Sequence, residues 1–221
     1  MTATRKQRPA GARSPESEKG GVPIVGIVFG VVAVILVAAI VLTGGGTDEE
    51  ARYGTVEVIG ENLAPYPVNL ASIGDDPAIG STIPTLDGED LEGNAMSVSA
   101  DGVAQGIVFL AHWCDHCQAE VPRVTDWIET TGGMEGVDIV SVTTSINPLR
   151  DNFPPDKWLE RENWPADVLL DDEAGTAHVA FGAGGFPYWV FVDAGGKVVA
   201  RTAGQLDIPT LEAFLALARD A

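Results

Sequence analysis

An uncharged, apolar run from position 22 to position 43 constrains the folding of this chain more than any other feature. As a helix, these 22 residues would span about 33 Å, enough to cross the hydrocarbon core of a bilayer. A cleaved signal peptide is the main alternative, but its apolar region is usually about 7–15 residues long and ends at a small-residue cleavage site. Here the run ends in Thr43 and three glycines without a clear A-x-A pattern. We therefore predict one uncleaved N-terminal transmembrane helix.

Charge is distributed unevenly on the two sides of this run. The formal net charge is -19, yet the residues before position 44 sum to +3 and the remainder to -22. Basic flanks stay in the cytoplasm, so the C-terminal part is predicted to be extracytoplasmic and the protein a single-pass membrane protein. The acidity excludes a general nucleic-acid-binding surface, which needs clustered Lys and Arg. We predict a disordered basic cytoplasmic tail (1–21), an anchor (22–43), a tether with an N-terminal extension (44–75) and a globular domain (76–221).

Strand and helix patterns alternate along the C-terminal part. The continuous apolar run at 106–111 predicts a buried strand that a helix follows, and the segment at 137–143 is predicted to form the next strand. Asp207 is a candidate cap for a C-terminal helix. The order of elements predicts an α/β fold, a mixed sheet covered by helices. The remaining predicted elements are a short helix at 155–163, an apolar run at 168–170, a helical segment at 173–181, and strands at 188–193 and 197–202 joined by a glycine-rich turn.

The chain has two cysteines, Cys114 and Cys117, and both lie where a predicted strand ends and a helix begins. No other cysteine is present, so any disulfide within the chain joins these two. A helix N-terminus has unpaired N–H groups and a positive dipole end, which stabilise a thiolate at Cys114. Cys117 lies one turn later and can resolve a mixed disulfide by attacking Cys114. The sequence therefore predicts a redox-active dithiol.

Several motifs around the cysteines occur together. Trp113-Cys114-x-x-Cys117 follows an apolar strand, and Glu120-x-Pro122 follows the second cysteine. Further on, Gly185-Phe186-Pro187 precedes a strand that ends in Asp193. Over roughly residues 76–220 this combination resembles the thioredoxin superfamily and, more narrowly, its membrane-anchored TlpA/ResA-type branch. The resemblance implies a thioredoxin-like mixed sheet flanked by helices.

The resemblance also implies an activity and roles for individual residues. The implied activity is extracytoplasmic exchange of the cysteine dithiol/disulfide with protein substrates, with a protein disulfide reductase favoured over an oxidase. Pro187 would be the family's cis-proline facing the cysteines, and Trp113 and Phe186 would lie on the substrate-binding surface. Glu120 would be the acidic residue that handles protons near the dithiol. Thioredoxin keeps a buried carboxylate six residues before its first cysteine, but Val108 occupies that position here.

The two residues between the cysteines are expected to tune the ionisation of the Cys114 thiol in opposite directions. His116 would stabilise the thiolate and with it the reduced form, which makes a protein more oxidising. Asp115 opposes ionisation because its carboxylate repels a thiolate. The third motif position is also His in DsbA-type oxidants, so the physiological redox direction stays open, as do the substrate protein and the redox partner.

Three other kinds of site are alternatives. A zinc site needs two more ligands, and His112 and His116 are too close to the cysteines for a tetrahedron, so we predict no metal and no cofactor. A peroxiredoxin-type peroxidase would have its reactive cysteine in a T-x-x-C motif, but Ala111 occupies the Thr position before Cys114. A redox-inactive binding module is disfavoured by the retained C-x-x-C.

The acidic pairs at 75–76 and 171–172 are expected to form solvated turns, and Trp189 is expected to be a packing residue.

Overall fold

The computed structural model of the chain describes residues 52–221. The predicted cytoplasmic tail, the apolar run at 22–43 and the first part of the tether lie outside this range. Between residues 52 and 221, no helix is long and apolar enough to span a bilayer. The transmembrane anchor therefore remains a prediction from the sequence.

One mixed sheet forms the centre of the described domain. Its strands follow the order β1-β2-β6-β5-β4-β7-β8, and β3 pairs with β2. The three strands β4, β5 and β6 are mutually parallel, whereas β7 runs antiparallel to β4. The strands are β1 (Glu57–Ile59), β2 (Thr85–Asp90), β3 (Ala95–Val98), β4 (Ala104–Leu110), β5 (Val137–Thr143), β6 (Asp167–Leu170), β7 (Tyr188–Val192) and β8 (Val198–Ala203).

Four α-helices accompany the sheet, which confirms the predicted mixed α/β architecture. The C-terminal helix begins as expected, because the Asp207 side chain accepts a hydrogen bond from the Thr210 N–H at 2.9 Å. The predicted helical segment at 173–181 is shorter in the structure, because Gly175 adopts a left-handed conformation just before the helix starts. The helices are α1 (Asp115–Thr131), α2 (Pro155–Arg161), α3 (Thr176–Ala180) and α4 (Ile208–Asp220), with a 3₁₀ turn at Ile73–Asp75.

The core lies on both faces of the sheet. All seven residues of β4 are buried, as expected for a central strand with a continuous apolar sequence. On β7 the side chains alternate: Trp189 and Phe191 join an apolar cluster with α1 and α4, whereas Tyr188 and Val190 join a second cluster that includes α3. This period of two is the geometry of a strand that is covered on both faces.

The sheet brings four connecting segments to one edge. Leu110, Thr143 and Leu170 lie in register at the carboxyl ends of the parallel strands, and Tyr188 begins the antiparallel β7 beside them. The segments after β4, β5 and β6 and the segment before β7 therefore meet at this edge. In parallel sheets, this is the edge where functional groups collect.

Neither acidic pair forms a purely solvated turn, so that expectation was wrong for one residue of each pair. Asp76 is buried and pairs through both carboxylate oxygens with the buried Arg201 guanidinium from β8. Asp171 is fully buried, and its carboxylate accepts hydrogen bonds from the Thr144 hydroxyl at 2.6 Å and from the Ala177 N–H at 2.9 Å. Arg201 lies 125 positions from Asp76, and Thr144 lies 27 positions from Asp171, so no local pattern signals these two partners.

Candidate dithiol active site

Cys114 and Cys117 differ in exposure although they lie within one helical turn. Cys114 is the N-cap residue of α1 and is half-buried, whereas Cys117 is completely buried in the first turn. Both are free thiols. The N–H of Cys114 donates to the carbonyl oxygen of Ala111 at 3.0 Å, which turns the chain from β4 into the helix. An accessible sulfur therefore lies beside one that solvent does not reach.

The segment before β7 lies against the accessible cysteine. The Cys114 thiol donates to the carbonyl oxygen of Phe186 at 3.5 Å, and the Phe186–Pro187 peptide bond is cis, as the resemblance implied. The Trp113 ring meets the Phe186 ring edge-on, with centroids 6.2 Å apart. The structure therefore brings the three expected substrate-binding residues together around the Cys114 sulfur.

The environment of Cys117 disfavours its thiolate. Burial raises the pKa of this thiol well above its usual range, and the hydrogen bond with the Ala111 backbone offsets only part of the effect. Negative charge on Cys114 or Glu120 raises this pKa further. Cys117 is therefore held as a neutral thiol and needs a proton acceptor before it can act as a nucleophile.

Glu120 lies one turn after Cys117 on α1 and is buried. One carboxylate oxygen accepts a hydrogen bond from the indole N–H of Trp189, and the other accepts from the Leu206 N–H at 2.8 Å. Arg123 approaches the second oxygen at 3.4 Å. Burial raises the pKa of Glu120, although these three partners act to lower it. The result is a buried carboxyl group that holds its proton to higher pH than a solvated glutamate.

The comparisons with known proteins agree with this geometry. No protein-family model and no curated protein matches the chain. Among solved structures, the thioredoxin domain of a thiol-disulfide oxidoreductase from Bacteroides vulgatus is 27% identical with a TM-score of 0.50, and the match covers 62% of this chain and 98% of that one. A putative thiol:disulfide interchange protein DsbE from Chlorobium tepidum is 22% identical with a TM-score of 0.52, covering 63% and 96%. StoA from Bacillus subtilis is 17% identical with a TM-score of 0.51, covering 62% and 98%.

The described domain is similar to thioredoxin-fold thiol-disulfide oxidoreductases. Its resemblance to the TlpA/ResA-type branch, inferred from the motifs, is confirmed by these structures.

Trp189 has a second role besides packing. Its ring stacks on Phe191 with centroids 5.5 Å apart, as expected for a packing residue, but its N–H also holds the buried carboxyl group of Glu120. A tryptophan in a continuous apolar strand carries one polar atom that must find a partner when buried. That requirement is the only sequence signal that could have revealed the contact.

The two residues between the cysteines lie at the surface. Asp115 and His116 are both exposed, and the His116 Nδ1 lies 3.0 Å from the side-chain oxygen of Gln205. Their proposed effect on the Cys114 thiol remains a prediction. Gln205, which the sequence did not single out, is the nearest identified partner of this motif histidine.

The loop at positions 204–206 contacts three parts of the site through consecutive residues. Its first N–H, that of Gly204, donates to the carbonyl oxygen of Pro187 at 2.8 Å. The side chain of the next residue, Gln205, contacts His116. The third residue, Leu206, donates its N–H to Glu120. This loop therefore holds the proline segment, the motif histidine and the buried acid in one arrangement.

His112 anchors the loop at 145–152 to the segment that carries the cysteine motif. Its buried ring accepts a hydrogen bond at Nε2 from the Asn147 N–H at 3.1 Å, so Nδ1 carries the proton and donates to the Asp151 carbonyl oxygen at 2.7 Å. Burial lowers the pKa of His112 and keeps the ring neutral. The indole N–H of Trp113 donates to the Ser145 carbonyl oxygen at 2.7 Å. The sequence left the role of His112 open, and the structure makes it a clamp on the loop at 145–152.

Between residues 52 and 221, no group of three or more His, Cys, Asp or Glu side chains is arranged to hold a metal ion. The third histidine of the chain, His178, is half-buried and packs its ring against Phe186, with centroids 5.1 Å apart. It therefore packs against the segment before β7 that also contacts Cys114.

Proposed function

We propose that this chain is an extracytoplasmic thiol–disulfide oxidoreductase that reduces disulfides in protein substrates through Cys114 and Cys117. The observation that carries the proposal is the pairing of an accessible sulfur with a buried one, beside the Phe186–Pro187 segment. The oxidoreductase class is supported by the solved structures that resemble the chain. The substrate class, the direction and the location go beyond those comparisons.

The first step forms a mixed disulfide. The Cys114 thiolate, at the N-terminus of α1, attacks one sulfur of a substrate disulfide. A bond forms between the Cys114 sulfur and that atom, and the other substrate sulfur leaves as a thiolate that takes up a proton. Phe186 and Pro187 border this position and would hold the substrate backbone alongside, with Trp113 on the other side.

The second step releases the substrate. Cys117 gives up its proton and attacks the Cys114 sulfur; the bond to substrate breaks, the second substrate sulfur leaves as a thiolate that takes up a proton, and the chain's disulfide forms. We assign the proton acceptor role to Glu120, which lies one turn away and whose raised pKa brings it closer to neutral pH. Two electrons and two protons pass to the substrate. A separate dithiol partner must then reduce the chain again.

The environment of Cys117 favours the reductase direction. Stabilised thiolates stabilise the reduced form and make a protein oxidising. Because burial raises the pKa of Cys117, we infer that this second thiol contributes no such stabilisation near neutral pH. This is compatible with a dithiol that donates electrons, the direction that the branch resemblance implies.

The proposed location rests on the sequence. The apolar run at 22–43 would anchor the chain, with residues 1–21 in the cytoplasm. Residues 44–75 would then lead to the catalytic domain at 76–221. Protease accessibility of a tag at Ala221 in intact cells tests this topology, and a protected tag would reverse it.

Reduction of insulin disulfides by the full-length chain, followed by measurement of its reduction potential, tests the proposed activity. We expect dithiol-dependent insulin reduction and a potential nearer to that of thioredoxin, about -270 mV, than to that of DsbA, about -120 mV. Turnover with peroxide in place of a disulfide would favour a peroxidase. A chain that catalyses neither reaction would be a binding module.

A further inference from the structure

Arg150 lies over the ring of Trp113, the residue that precedes the accessible Cys114. Its guanidinium carbon is 4.9 Å from the centroid of the Trp113 ring, and Trp113 precedes Cys114 in the chain. The side chain is exposed. A guanidinium stacked on an indole keeps its N–H edge free to bind a carboxylate, because the stacking uses the flat face of the group.

This cation stands out from the other cations of the described domain. Eight Lys and Arg residues lie between positions 52 and 221, and six of them are within ion-pair distance of a carboxylate. Arg150 and Lys197 are the two of this range that form no such pair. In a chain with 32 acidic and 13 basic residues, a cation without a carboxylate partner beside the dithiol is unusual.

The position of Arg150 is fixed by the loop that carries it. The buried ring of His112 holds this loop on both sides of Arg150, through the Asn147 N–H and the Asp151 carbonyl oxygen. The amide of Asn152 also donates to the His112 carbonyl oxygen at 3.4 Å. A charge on a loop anchored at both ends is positioned before a substrate arrives, so little ordering is needed on binding.

We propose that Arg150 is a specificity-determining residue that selects disulfide substrates carrying a carboxylate next to the reactive cysteine. This inference rests on the proposed function and names the substrate class of the same site. The carboxylate would bind the guanidinium edge while the substrate disulfide lies over Cys114. Because the rest of the chain is strongly acidic, such a substrate would otherwise be repelled, and Arg150 would provide the local attraction.

Peptides with one disulfide test the proposal, each with Glu, Gln or Lys next to the reactive cysteine and otherwise identical. We expect the full-length chain to show a lower KM for the Glu peptide than for the Lys peptide. Arg150→Ala should raise the KM for the Glu peptide about two- to fivefold, the range of an exposed ion pair, with kcat nearly unchanged. Arg150→Glu should reverse the order of the Glu and Lys peptides. Added salt should reduce these differences.

Lys197→Glu is the matched control, because it makes the same change of charge at the other unpaired cation. Lys197 lies in the turn between β7 and β8, at the end of β7 away from Pro187. The control should leave the order of the peptides as in the unchanged chain. If Lys197→Glu shifts the KM values as much as Arg150→Glu does, or if Arg150→Ala affects the three peptides equally, the proposal is wrong. Failure of the unchanged chain to reduce even the Gln peptide would instead contradict the proposed function.

Discussion

The buried carboxylate of Glu120 accepts a hydrogen bond from the backbone N–H of Leu206, which is 2.8 Å away in space and 86 residues later in the chain. No substitution except proline removes a backbone N–H, so this contact is set by the path of the loop after β8. Glu120 is thereby held at one fixed place beside the buried thiol of Cys117.

Substitution of the two cysteines should have different consequences. Cys114→Ser should abolish activity, because the attacking sulfur is lost. Cys117→Ser should instead accumulate mixed disulfides with substrate, because attack proceeds and resolution fails. Non-reducing gel electrophoresis with mass spectrometry of the trapped species distinguishes the two. Trapping by Cys114→Ser rather than by Cys117→Ser would show that the assigned roles are exchanged.

Replacement of Glu120 should alter the dependence of stability on pH. Its folded-state pKa is raised, so the folded chain binds this proton more tightly than the unfolded chain does. The Glu120 contribution to stability is therefore fully present below the ordinary glutamate pKa of about 4.3 and is lost as pH rises through the folded pKa. Glu120→Gln should flatten this fall. Denaturant unfolding at a series of pH values measures this fall in stability. If stability depends on pH in the variant as it does in the unchanged chain, Glu120 is not its cause.

The same substitution should slow the resolving step. Without the carboxylate, Cys117 lacks the proposed proton acceptor, a role that typically contributes about 10²–10⁴-fold in rate. We expect mixed disulfides of the Glu120→Gln variant to persist longer, while the first attack by Cys114 changes little. Rapid-quench measurement of both steps separates them. Equal slowing of both steps would indicate a general loss of structure instead.

Trp189→Phe should remove one hydrogen bond while keeping an aromatic ring on Phe191. Loss of the indole N–H removes a partner that stabilises the Glu120 carboxylate, so the pKa of Glu120 should rise further. A hydrogen bond to a charged group contributes about 1.5–3 kcal/mol to stability. We therefore expect the free energy of unfolding to fall by an amount of that order at pH values above the pKa of Glu120. The pH profile of resolution should shift upward. Phe191→Leu is the control that changes packing without touching Glu120.

Asp76→Ala should destabilise the domain strongly, because it leaves the buried Arg201 guanidinium without its carboxylate. Breaking a buried pair by removing one partner costs about 3–5 kcal/mol. The double variant Asp76→Ala with Arg201→Met should recover much of this loss, since no buried charge remains uncompensated. Denaturant unfolding of the two variants measures the difference. If the double variant were no more stable than Asp76→Ala alone, the charge of Arg201 would not be the cause.

The sequence predicted the features that depend on local pattern. The strand at 137–143 has the predicted bounds, because the Val, Ile and Thr residues that dominate it favour a strand. The junction of strand, cysteines and helix is likewise local. The β2–β3 hairpin was not predicted, because its strands lie at the side of the sheet and carry polar residues such as Asp87 and Ser97.

Contacts between distant segments could not be predicted in the same way. The Asp76–Arg201 pair joins residues 125 positions apart, and the clamp of His112 on Asp151 joins residues 39 apart. Each contact depends on which distant segments the fold packs together. A hydrophobic period identifies the strands of the sheet, but it does not identify which polar side chains meet between these segments.

The consecutive contacts of the loop at 204–206 make the dithiol site intolerant of changes in chain length at this point. Inserting or deleting one residue would move every donor and acceptor of the loop by one position at once. The carbonyl of Pro187, the ring of His116 and the carboxylate of Glu120 would then all lose their partners together. Side chains within the loop can be exchanged one at a time, whereas its length can change only if all three contacts are rebuilt.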